Sequence, residues 1–200
     1  MRLLRNEGFP LSAWHSVASE KQLEAITHFP VVLKVDAPAL IHKSDVGCVK
    51  TNITTKRVLR DAYQQILKNA QRQTNKINSV IVQPQYHGHE VIIGLKKDAT
   101  FGHVALFGLG GVYAEIFHDT TLRILPFTQS QARAMIDEIK SSAILHGVRG
   151  QKPVNISAIV AILMSLNRLV KHHPEISELD FNPVIVDAHR AVIVDARVII

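Results

Sequence analysis

The sequence predicts an α+β fold of two small lobes, because short β-like runs alternate with amphipathic helical runs and neighbouring strands look like antiparallel hairpins. Residues 31–36 (VVLKVD) form a β-branched run typical of a buried strand. Residues 79–84 (SVIVQP) and 89–97 (HEVIIGLKK) are strand-like runs on either side of the polar turn His87-Gly88, and they could form an antiparallel pair. Antiparallel pairs mixed with helices favour an α+β sandwich over a doubly wound parallel sheet.

Four segments carry helix signals. Residues 19–28 and 128–141 each open with a hydroxyl residue followed three positions later by glutamine, which is the spacing of a capping box. Residues 55–72 and 156–170 repeat apolar side chains at helical spacing. Further strands are predicted at 103–107, 183–187 and 191–195.

The lobes are assigned approximately to residues 20–97 and to residues 98–200 together with the N-terminal segment. No linker, low-complexity tract or internal repeat divides the chain. Ligands commonly bind in the cleft between two lobes, so we expect the functional site there.

Composition narrows the classes of function. The net charge is +6, from 23 basic and 17 acidic residues, but the basic residues are scattered and no nucleic-acid-binding motif is present. No apolar run is long enough to span a membrane, and the N-terminus does not resemble a signal peptide. The single cysteine, Cys48, rules out an internal disulfide. We therefore expect a cytoplasmic protein that binds neither nucleic acid nor membrane.

Lys34 lies within the apolar run VVLKVD, where an ammonium group is costly unless an anion is close by. A nucleotide phosphate would supply that anion. The alternative is an edge strand from which Lys34 extends into solvent, and its position in the sequence does not separate the two.

The loop IHKSDVG places an imidazole, an ammonium, a hydroxyl and a carboxylate within a few residues. His42 is a candidate nucleophile or acid–base group, which Asp45 could orient. A solvated polar turn is the alternative.

The segment FGLGG follows a predicted strand, and Gly108, Gly110 and Gly111 would let backbone N–H groups approach a phosphate. The spacing matches neither a P-loop nor the dinucleotide-binding fingerprint, so a tight structural turn is equally compatible with it.

The segment ELDFNP contains Asp180 and Asn182, which strand alternation places on one face, and a hairpin would bring Asp195 beside them. Two carboxylates and an amide oxygen suit Mg²⁺ next to phosphates. A salt-bridged strand end followed by an Asn-Pro turn is the alternative. The remaining histidines lack the spacing of metal ligands.

Taken in order, these segments resemble one family. The motifs are PVVLKV, IHKSDVG, EVIIGLKKDATFGHVALFGLGGVYAEI, LRILPFT, GVRGQKPVN, PEISELDFNPVIV and AVIVDARVII. They are similar to the ATP-grasp region of NDP-forming acyl-CoA synthetases, the ADP-forming acetate–CoA ligases, from about Leu3 to the C-terminus. The resemblance implies an ATP-grasp fold and the interconversion of acyl-CoA, ADP and phosphate with free acid, CoA and ATP, through a phosphohistidine.

The resemblance also implies roles for residues. The phosphorylated histidine on the ATP-grasp side of the family corresponds to His42, its strand lysine to Lys34, and an acidic position near the nucleotide to Glu90. In the related succinyl-CoA synthetases, the magnesium ligands correspond to Asn182 and Asp195.

In the same relatives, a carboxylate that meets the phosphohistidine corresponds to Asp180. Gly108, Gly110 and Gly111 would offer N–H donors to phosphate. ATP or ADP and Mg²⁺ are therefore the expected cofactors.

The family's CoA-binding and ligase domains are not in this sequence, and its ATP-grasp region usually begins some residues earlier. We therefore expect a CoA-binding, alpha-like partner domain or subunit. The family also usually has Gly-Gly at Gly47-Cys48 and proline at His103.

Two alternatives to this function remain open. One is a non-catalytic, synthetase-like regulatory module of a multidomain acetyltransferase. The retention of His42, and of Asp180, Asn182 and Asp195, argues against it. The other is a carboxylate–amine ligase, which uses the same fold but gives the HKSD motif no purpose.

Overall fold

The computed structural model describes residues 1–38, 40, 43, 46–111, 119–148 and 150–200. The chain divides into two compact units, and unit 1 is discontinuous. Unit 1 contains Met1–Leu11 and His87–Ile200, whereas unit 2 contains Ser12–Tyr86. Residues 87–97, which the sequence analysis grouped with the first lobe, thus belong to unit 1.

Unit 2 is built on a four-stranded antiparallel sheet with the strand order β1-β4-β2-β3. Its strands are β1 (His15–Val17), β2 (Val31–Asp36), β3 (Val49–Ile53) and β4 (Ser79–Pro84). The position of β2 between β4 and β3 shows that it is not an edge strand.

Two helical segments cover the apolar face of the unit 2 sheet. The sequence predicted both, but the first, Glu20–Ala25, is a 3-10 helix, and it carries the capping box of Ser19. The second is the α-helix Lys56–Gln71, labelled α2, which Thr55 caps by accepting a hydrogen bond from the Val58 N–H. The described members of this hydrophobic core all lie within unit 2.

Unit 1 is built on a six-stranded antiparallel sheet in which β9 pairs with β8 and the other strands follow the order β10-β8-β5-β6-β7. The strands are β5 (His89–Asp98), β6 (Gly102–Leu109), β7 (Thr120–Ile124), β8 (Glu178–Val186), β9 (Ala191–Ile193) and β10 (Ala196–Ile199).

The helices of unit 1 pack on one face of this sheet. They are α1 (Arg2–Asn6), α3 (Gln129–Glu138), α4 (Ser142–His146) and α5 (Ile156–His172). The capping box predicted at Thr128 and Gln131 is present. The core contains alternate residues of β5 and β6 together with the apolar stripe of α5, as strand and helix periodicity predict.

The hairpin predicted between 79–84 and 89–97 was wrong. Both runs are strands, but β4 pairs with β1 and β2, whereas β5 pairs with β6 and β8. The reason is that Val80 and Val82 pack into the unit 2 core, whereas Val91 and Ile93 pack into the unit 1 core. A polar turn between two strands does not reveal which core each strand enters.

The C-terminal hairpin, predicted as 183–187 with 191–195, is present in a longer form. Its first strand starts at Glu178 and contains both Asp180 and Asn182, and its second is split into β9 and β10. The α+β fold class is confirmed. No helix among the described residues is both long and apolar enough to cross a bilayer.

Candidate functional site

The centre of the candidate site is an irregularity in β8. Val91 pairs with Val184 and Ile93 with Phe181, so three steps along β8 match only two along β5. Asn182 and Pro183 together therefore lie opposite Ile92, as in a β-bulge. Bulges redirect side chains and are common beside active sites. The alternative in which Asn-Pro marks a turn was wrong, since both residues lie inside the strand.

On the other side of β8 the register is continuous, and it brings Asp195 to the bulge. Ile193 pairs with Val184, Ala196 pairs with Phe181, and the Val194 N–H donates to the Pro183 carbonyl at 3.2 Å. Asp195 therefore lies across from Asn182 in the gap between β9 and β10. The structure thus brings together the residues that the sequence analysis grouped as metal ligands, on the two strands of this hairpin.

Asp180 occupies an electrostatically unfavourable position for a carboxylate. Burial, followed by the negative charges of Glu178 and Asp195, raises the pKa of Asp180 above its ordinary value, and the Arg197 guanidinium partly opposes this rise. Arg197 lies directly across from Asp180 in the β10 register. A divalent cation beside Asp180 would relieve this repulsion.

The donor set fits a hard cation. Asp195 and Asn182 supply a carboxylate and an amide oxygen, and Asp180 adds a second carboxylate nearby. Carboxylate and amide oxygens are ligands that Mg²⁺ accepts, usually with water and substrate phosphates completing the shell. Over the described part of the chain, no group of three or more His, Cys, Asp or Glu side chains is arranged to hold a metal. Water or the phosphate oxygens of a ligand would fill the remaining positions around a cation here.

A pocket of about 400 Å³ lies where β5 begins and β6 ends. Gly88, Glu90, Gly110, Gly111 and Ile144 line it, together with His89 and Leu109. Glu90 is exposed, and a Cβ added to Gly111, where φ is +66°, would lie 3.1 Å from the Glu90 Oε2. The carboxylate of Glu90 thus occupies the space that a side chain at Gly111 would need.

The glycines have mainly steric roles. The Gly110 N–H donates to the Glu90 carbonyl at 2.7 Å, so this N–H is already used within the protein. Gly108 lies inside β6 and pairs with Ile92 and Thr120. A Cβ at Gly108 would lie 2.8 Å from the Asp119 carbonyl oxygen. The predicted loop therefore begins two residues later than expected, and of the three glycines only Gly111 keeps the phosphate-donor role open.

Lys34 lies in the interior of the unit 2 sheet and is only 8% exposed, so the edge-strand alternative was wrong. It pairs across the sheet with Val49 and Ile81, on the face turned away from the core side chains of β2. Gln83, at 5% exposed, is its diagonal neighbour on that face. The sequence analysis missed Gln83, because an isolated glutamine in a strand gives no signal of burial.

His42 and Asp45 lie outside the described residues. The end of their loop is described, and the Asn69 side-chain amide of α2 anchors it by donating to the Gly47 carbonyl at 2.9 Å. Cys48, where the family usually has glycine, is fully buried in the unit 2 core, and burial raises the pKa of its thiol. Its side chain therefore packs inward.

The sequence analysis also missed Asp119, which follows the 112–118 segment. Its Oδ1 accepts a hydrogen bond from the Lys140 N–H at 2.8 Å, and its Oδ2 accepts from the Ser141 N–H at 2.8 Å and from the Ser141 hydroxyl at 2.5 Å. Although burial acts to raise the pKa of Asp119, these donors lower it overall. No local motif marks such a residue, because its donors lie more than twenty positions away.

Comparison with known proteins identifies the family. Residues 1–200 match the ATP-grasp domain family. Subunit beta of ADP-forming acetate–CoA ligase I from Pyrococcus furiosus is 37% identical over 204 residues, which cover 99% of this chain and 88% of that subunit. Subunit beta of isoenzyme II from the same organism is 43% identical, over 86% of this chain and 75% of that subunit. ADP-forming acetate–CoA ligase I of Archaeoglobus fulgidus is 39% identical, but the match covers only 28% of that longer protein.

Solved structures agree with this comparison. A structure of acetyl-coenzyme A synthetase 1 from Ca. Korarchaeum cryptofilum, in complex with coenzyme A, Ca-AMPCP and HgCl⁺, superposes with a TM-score of 0.93 at 38% identity, over 100% of this chain and 90% of that chain. A second structure of that enzyme contains coenzyme A and Mg-AMPPCP, and its phosphohistidine segment points towards the nucleotide-binding site. It gives a TM-score of 0.84 at 37% identity, over 98% of this chain and 88% of that chain.

The antiparallel sheets, the bulged β8 hairpin and identities of 37–43% with beta subunits lead to one assignment. The chain belongs to the ATP-grasp family, in the group that includes the beta subunits of ADP-forming acetate–CoA ligases.

Proposed function

We propose that the chain is the nucleotide-binding part of an NDP-forming acyl-CoA synthetase, which transfers a phosphoryl group between ADP/ATP and a phosphohistidine. This transfer is coupled to the reaction of acyl-CoA, ADP and phosphate to give free acid, CoA and ATP. The observation that carries the proposal is the juxtaposition of Asp180, Asn182 and Asp195 at the β8 bulge, in a chain similar to acetate–CoA ligase beta subunits over nearly its whole length.

Asn182 and Asp195 would hold Mg²⁺, which supplies charge neutralisation for the phosphates when it is bound. Lys34 would add a second positive charge, because phosphoryl transfer depends mainly on positioning and on electrostatic stabilisation. Glu90 and Gly111 would form one wall of the nucleotide pocket. A carboxylate at this wall favours hydrogen-bond donors, such as ribose hydroxyls or an imidazole N–H, over a bare phosphate.

Asp180 would accept a hydrogen bond from the N–H of the reacting imidazole. The other imidazole nitrogen forms the P–N bond while the bond between the γ-phosphorus and the β–γ bridging oxygen breaks, and the leaving oxygen stays on ADP. The positive charge that develops on the imidazole is stabilised by the Asp180 carboxylate. His42 would receive the phosphoryl group on this side of the enzyme.

The partner would be a CoA-binding, alpha-like domain or subunit. Two similar proteins are named as beta subunits, and the similar single-chain ligase is several times longer than the matched region. Either a separate subunit or a fused domain could therefore supply the CoA site. A cytoplasmic location stays a prediction.

Nucleotide binding is tested by calorimetry with Mg-ATP and Mg-ADP. The wild-type chain should bind both, and Lys34→Ala should weaken binding by roughly tenfold or more, since a hydrogen bond to a charged group contributes about 1.5–3 kcal/mol. Lys50→Ala, at an exposed position on the neighbouring strand β3, is the matched control and should bind like wild type. Equal binding by Lys34→Ala and wild type, or no binding by the intact chain, would contradict the proposal.

The histidine role has a separate test in the assembled enzyme. His42→Ala should abolish acid-labile phosphorylation of this chain while leaving Mg-ADP affinity nearly unchanged. Continued acid-labile labelling of the variant would assign the phosphohistidine elsewhere.

A further inference from the structure

The Asp119 carboxylate joins two parts of unit 1 that are distant in sequence. It accepts three hydrogen bonds, one from the Lys140 N–H and two from Ser141, at 2.5–2.8 Å. Lys140 and Ser141 are the residues immediately before α4. The Ser141 side chain makes no capping bond to α4, because its hydroxyl donates to Asp119. Asp119 therefore fixes where α4 starts.

Asp119 also lies beside Gly108, near the end of β6. The Asp119 carbonyl oxygen lies 2.8 Å from the position that a Cβ on Gly108 would occupy, and Thr120, the next residue, pairs with Gly108. The backbone at Asp119 is thus in close contact with β6 two residues before Gly110. Its side chain and its main chain contact the two elements that flank the 400 Å³ pocket.

Both of those elements contribute to the pocket wall. Leu109 is the last residue of β6 and Gly110 and Gly111 follow it, whereas Ile144 comes from α4. The α4 helix is short, at five residues, so its own hydrogen bonds hold it weakly in place. The buried Leu145 and the contact between His146 and Asp137 hold the C-terminal part of α4, whereas the bonds to Asp119 hold its start. The width of the pocket between Ile144 and Gly111 therefore depends in part on Asp119.

We propose that Asp119 is a positioning residue for the nucleotide pocket: it holds the α4 wall at a set distance from Gly110 and Gly111 and thereby sets nucleotide affinity. The proposal rests on the proposed function, because it assumes that this pocket takes part in nucleotide binding. Asp119 itself does not line the pocket, and so it acts through Ile144 and the glycines.

The informative variant is Asp119→Asn. The asparagine amide keeps one acceptor oxygen. Its NH₂ group replaces the second carboxylate oxygen, which accepts a hydrogen bond in the wild-type protein, and so faces a hydrogen-bond donor. At least one of the donors at Lys140 and Ser141 then loses its partner. Glu7→Gln is the control, because Glu7 is a carboxylate of unit 1 whose contacts are with Arg168 and His172 near the C-terminal end of α5. It removes one negative charge from the same unit without touching α4, Asp119 or the residues that line the pocket.

Two measurements test the proposal, and the first needs no nucleotide. Amide hydrogen exchange of the Gly110 N–H should be at least about tenfold faster in Asp119→Asn than in wild type, and it should be unchanged in Glu7→Gln. The Lys97 N–H, which donates to the Ser177 carbonyl at 2.8 Å in another part of the sheet, serves as the internal reference and should not change. The second measurement is the Kd for Mg-ADP, which should rise roughly tenfold in Asp119→Asn only, under conditions in which the variant is folded.

The outcomes separate the two proposals. If wild type does not bind Mg-ADP, the proposed function fails, while the exchange of Gly110 still decides whether Asp119 positions the pocket. If wild type binds and Asp119→Asn shows the same Gly110 exchange and the same Kd, the positioning role is overturned. If Asp119→Asn does not fold, Ser141→Ala takes its place, since it removes only the hydroxyl donor. Ser141→Ala should then raise the Gly110 exchange rate and the Kd for Mg-ADP by a smaller factor. No change in either the exchange rate or the Kd would overturn the proposal.

Discussion

Asp180 is the residue at which the requirements of folding and of the proposed chemistry conflict most clearly. Its pKa is raised by burial and by the carboxylates of Glu178 and Asp195, so its ionised form destabilises the folded protein at neutral pH. Asp180→Asn should therefore raise the thermal midpoint in the absence of Mg²⁺. The expected rise is roughly 1–3 °C, which corresponds to a gain below about 1 kcal/mol in a chain of this size. Differential scanning calorimetry in EDTA measures it.

Asp98 provides the control for Asp180, because its substitution should change the thermal midpoint in the opposite direction. It accepts hydrogen bonds from the Thr100 and Phe101 N–H groups, and these donors lower its pKa. Ionised Asp98 thus adds stability above its unfolded-state pKa, and this stability is lost as the pH falls through the lower folded-state pKa. Asp98→Asn should lower the midpoint at neutral pH. A lower midpoint for both variants would show that the carboxylate repulsion at Asp180 is unimportant.

Alanine substitutions at Gly111 and Gly102 distinguish the effect of backbone strain on stability from an effect on nucleotide binding. Both have positive φ, +66° and +73°, so alanine at either position should destabilise the fold by about 1–2 kcal/mol. Only at Gly111 would the new Cβ meet another group, the Glu90 carboxylate, because nothing lies within 4 Å at Gly102. Gly111→Ala should therefore weaken Mg-ADP binding as well, whereas Gly102→Ala should not. Calorimetric titration of the two folded variants checks this, and equal affinities would show that the nucleotide does not bind against Glu90 and Gly111.

The grouping of some candidate site residues could be predicted from the sequence for a clear physical reason. Asp180, Asn182 and Asp195 could be grouped because a strand has a period of two and a hairpin has a simple register. The bulge at Asn182-Pro183 could not be predicted, because it depends on β5, a partner strand about ninety residues away. Gln83 and Asp119 escaped notice for the same reason, since their environments come from distant parts of the chain.

Among the secondary structure elements, α1 depends on a polar anchor. The Glu7 side chain, 13% exposed, lies 3.1 Å from His172 Nδ1 and also contacts Arg168 and His173, all at the C-terminal end of α5. The hydrogen bond with His172 is the main cause of the lowered pKa of Glu7. Stability from Glu7 should be full above its unfolded-state pKa and should fall as the pH drops through the folded-state value.

Glu7→Gln should therefore loosen α1 at neutral pH. The measurement is hydrogen exchange of the Phe9 N–H, which donates to the Leu4 carbonyl at 3.1 Å. The control is Glu175→Gln, which removes a carboxylate beside His173 without touching α1. Faster exchange in both variants would point to His173, and unchanged exchange in Glu7→Gln would show that burial of Leu4 and Phe9 alone holds the segment.

Secondary structure was more predictable than strand pairing. The helices 55–72 and 156–170 and the strand 31–36 agree with the structure to within a few residues, because periodicity and caps are local signals. The pairing of β4 with β5 was wrong, because apolar alternation shows that a strand has a buried face but does not show which core buries it.

For the molecule as a whole, each unit has its own core. The described core residues of unit 2 all come from one continuous segment of sequence, Ser12–Tyr86. We therefore expect residues 12–86 expressed alone to unfold cooperatively and to show the circular dichroism spectrum of a fold that mixes helix and strand. Residues 87–200 alone should be less stable than the same segment joined to residues 1–11, because Leu4 and Phe9 belong to its core. A disordered 12–86 fragment would show that unit 2 requires the rest of the chain.

The interruption of unit 1 by unit 2 has a consequence for synthesis on the ribosome. Ser12–Tyr86 emerges in one stretch, so unit 2 can fold while translation continues. Leu11 pairs with Ile193, and so the first strand contact of the N-terminal segment waits for residues made on the order of ten seconds later, at ~5–20 residues per second. Phe9 also lacks a partner until late in synthesis, because its ring packs edge-to-face on that of Phe181, at a centroid distance of 5.2 Å. The nascent chain thus carries an incompletely packed apolar N-terminal segment, which is the kind of sequence that chaperones bind, until its last strands are made.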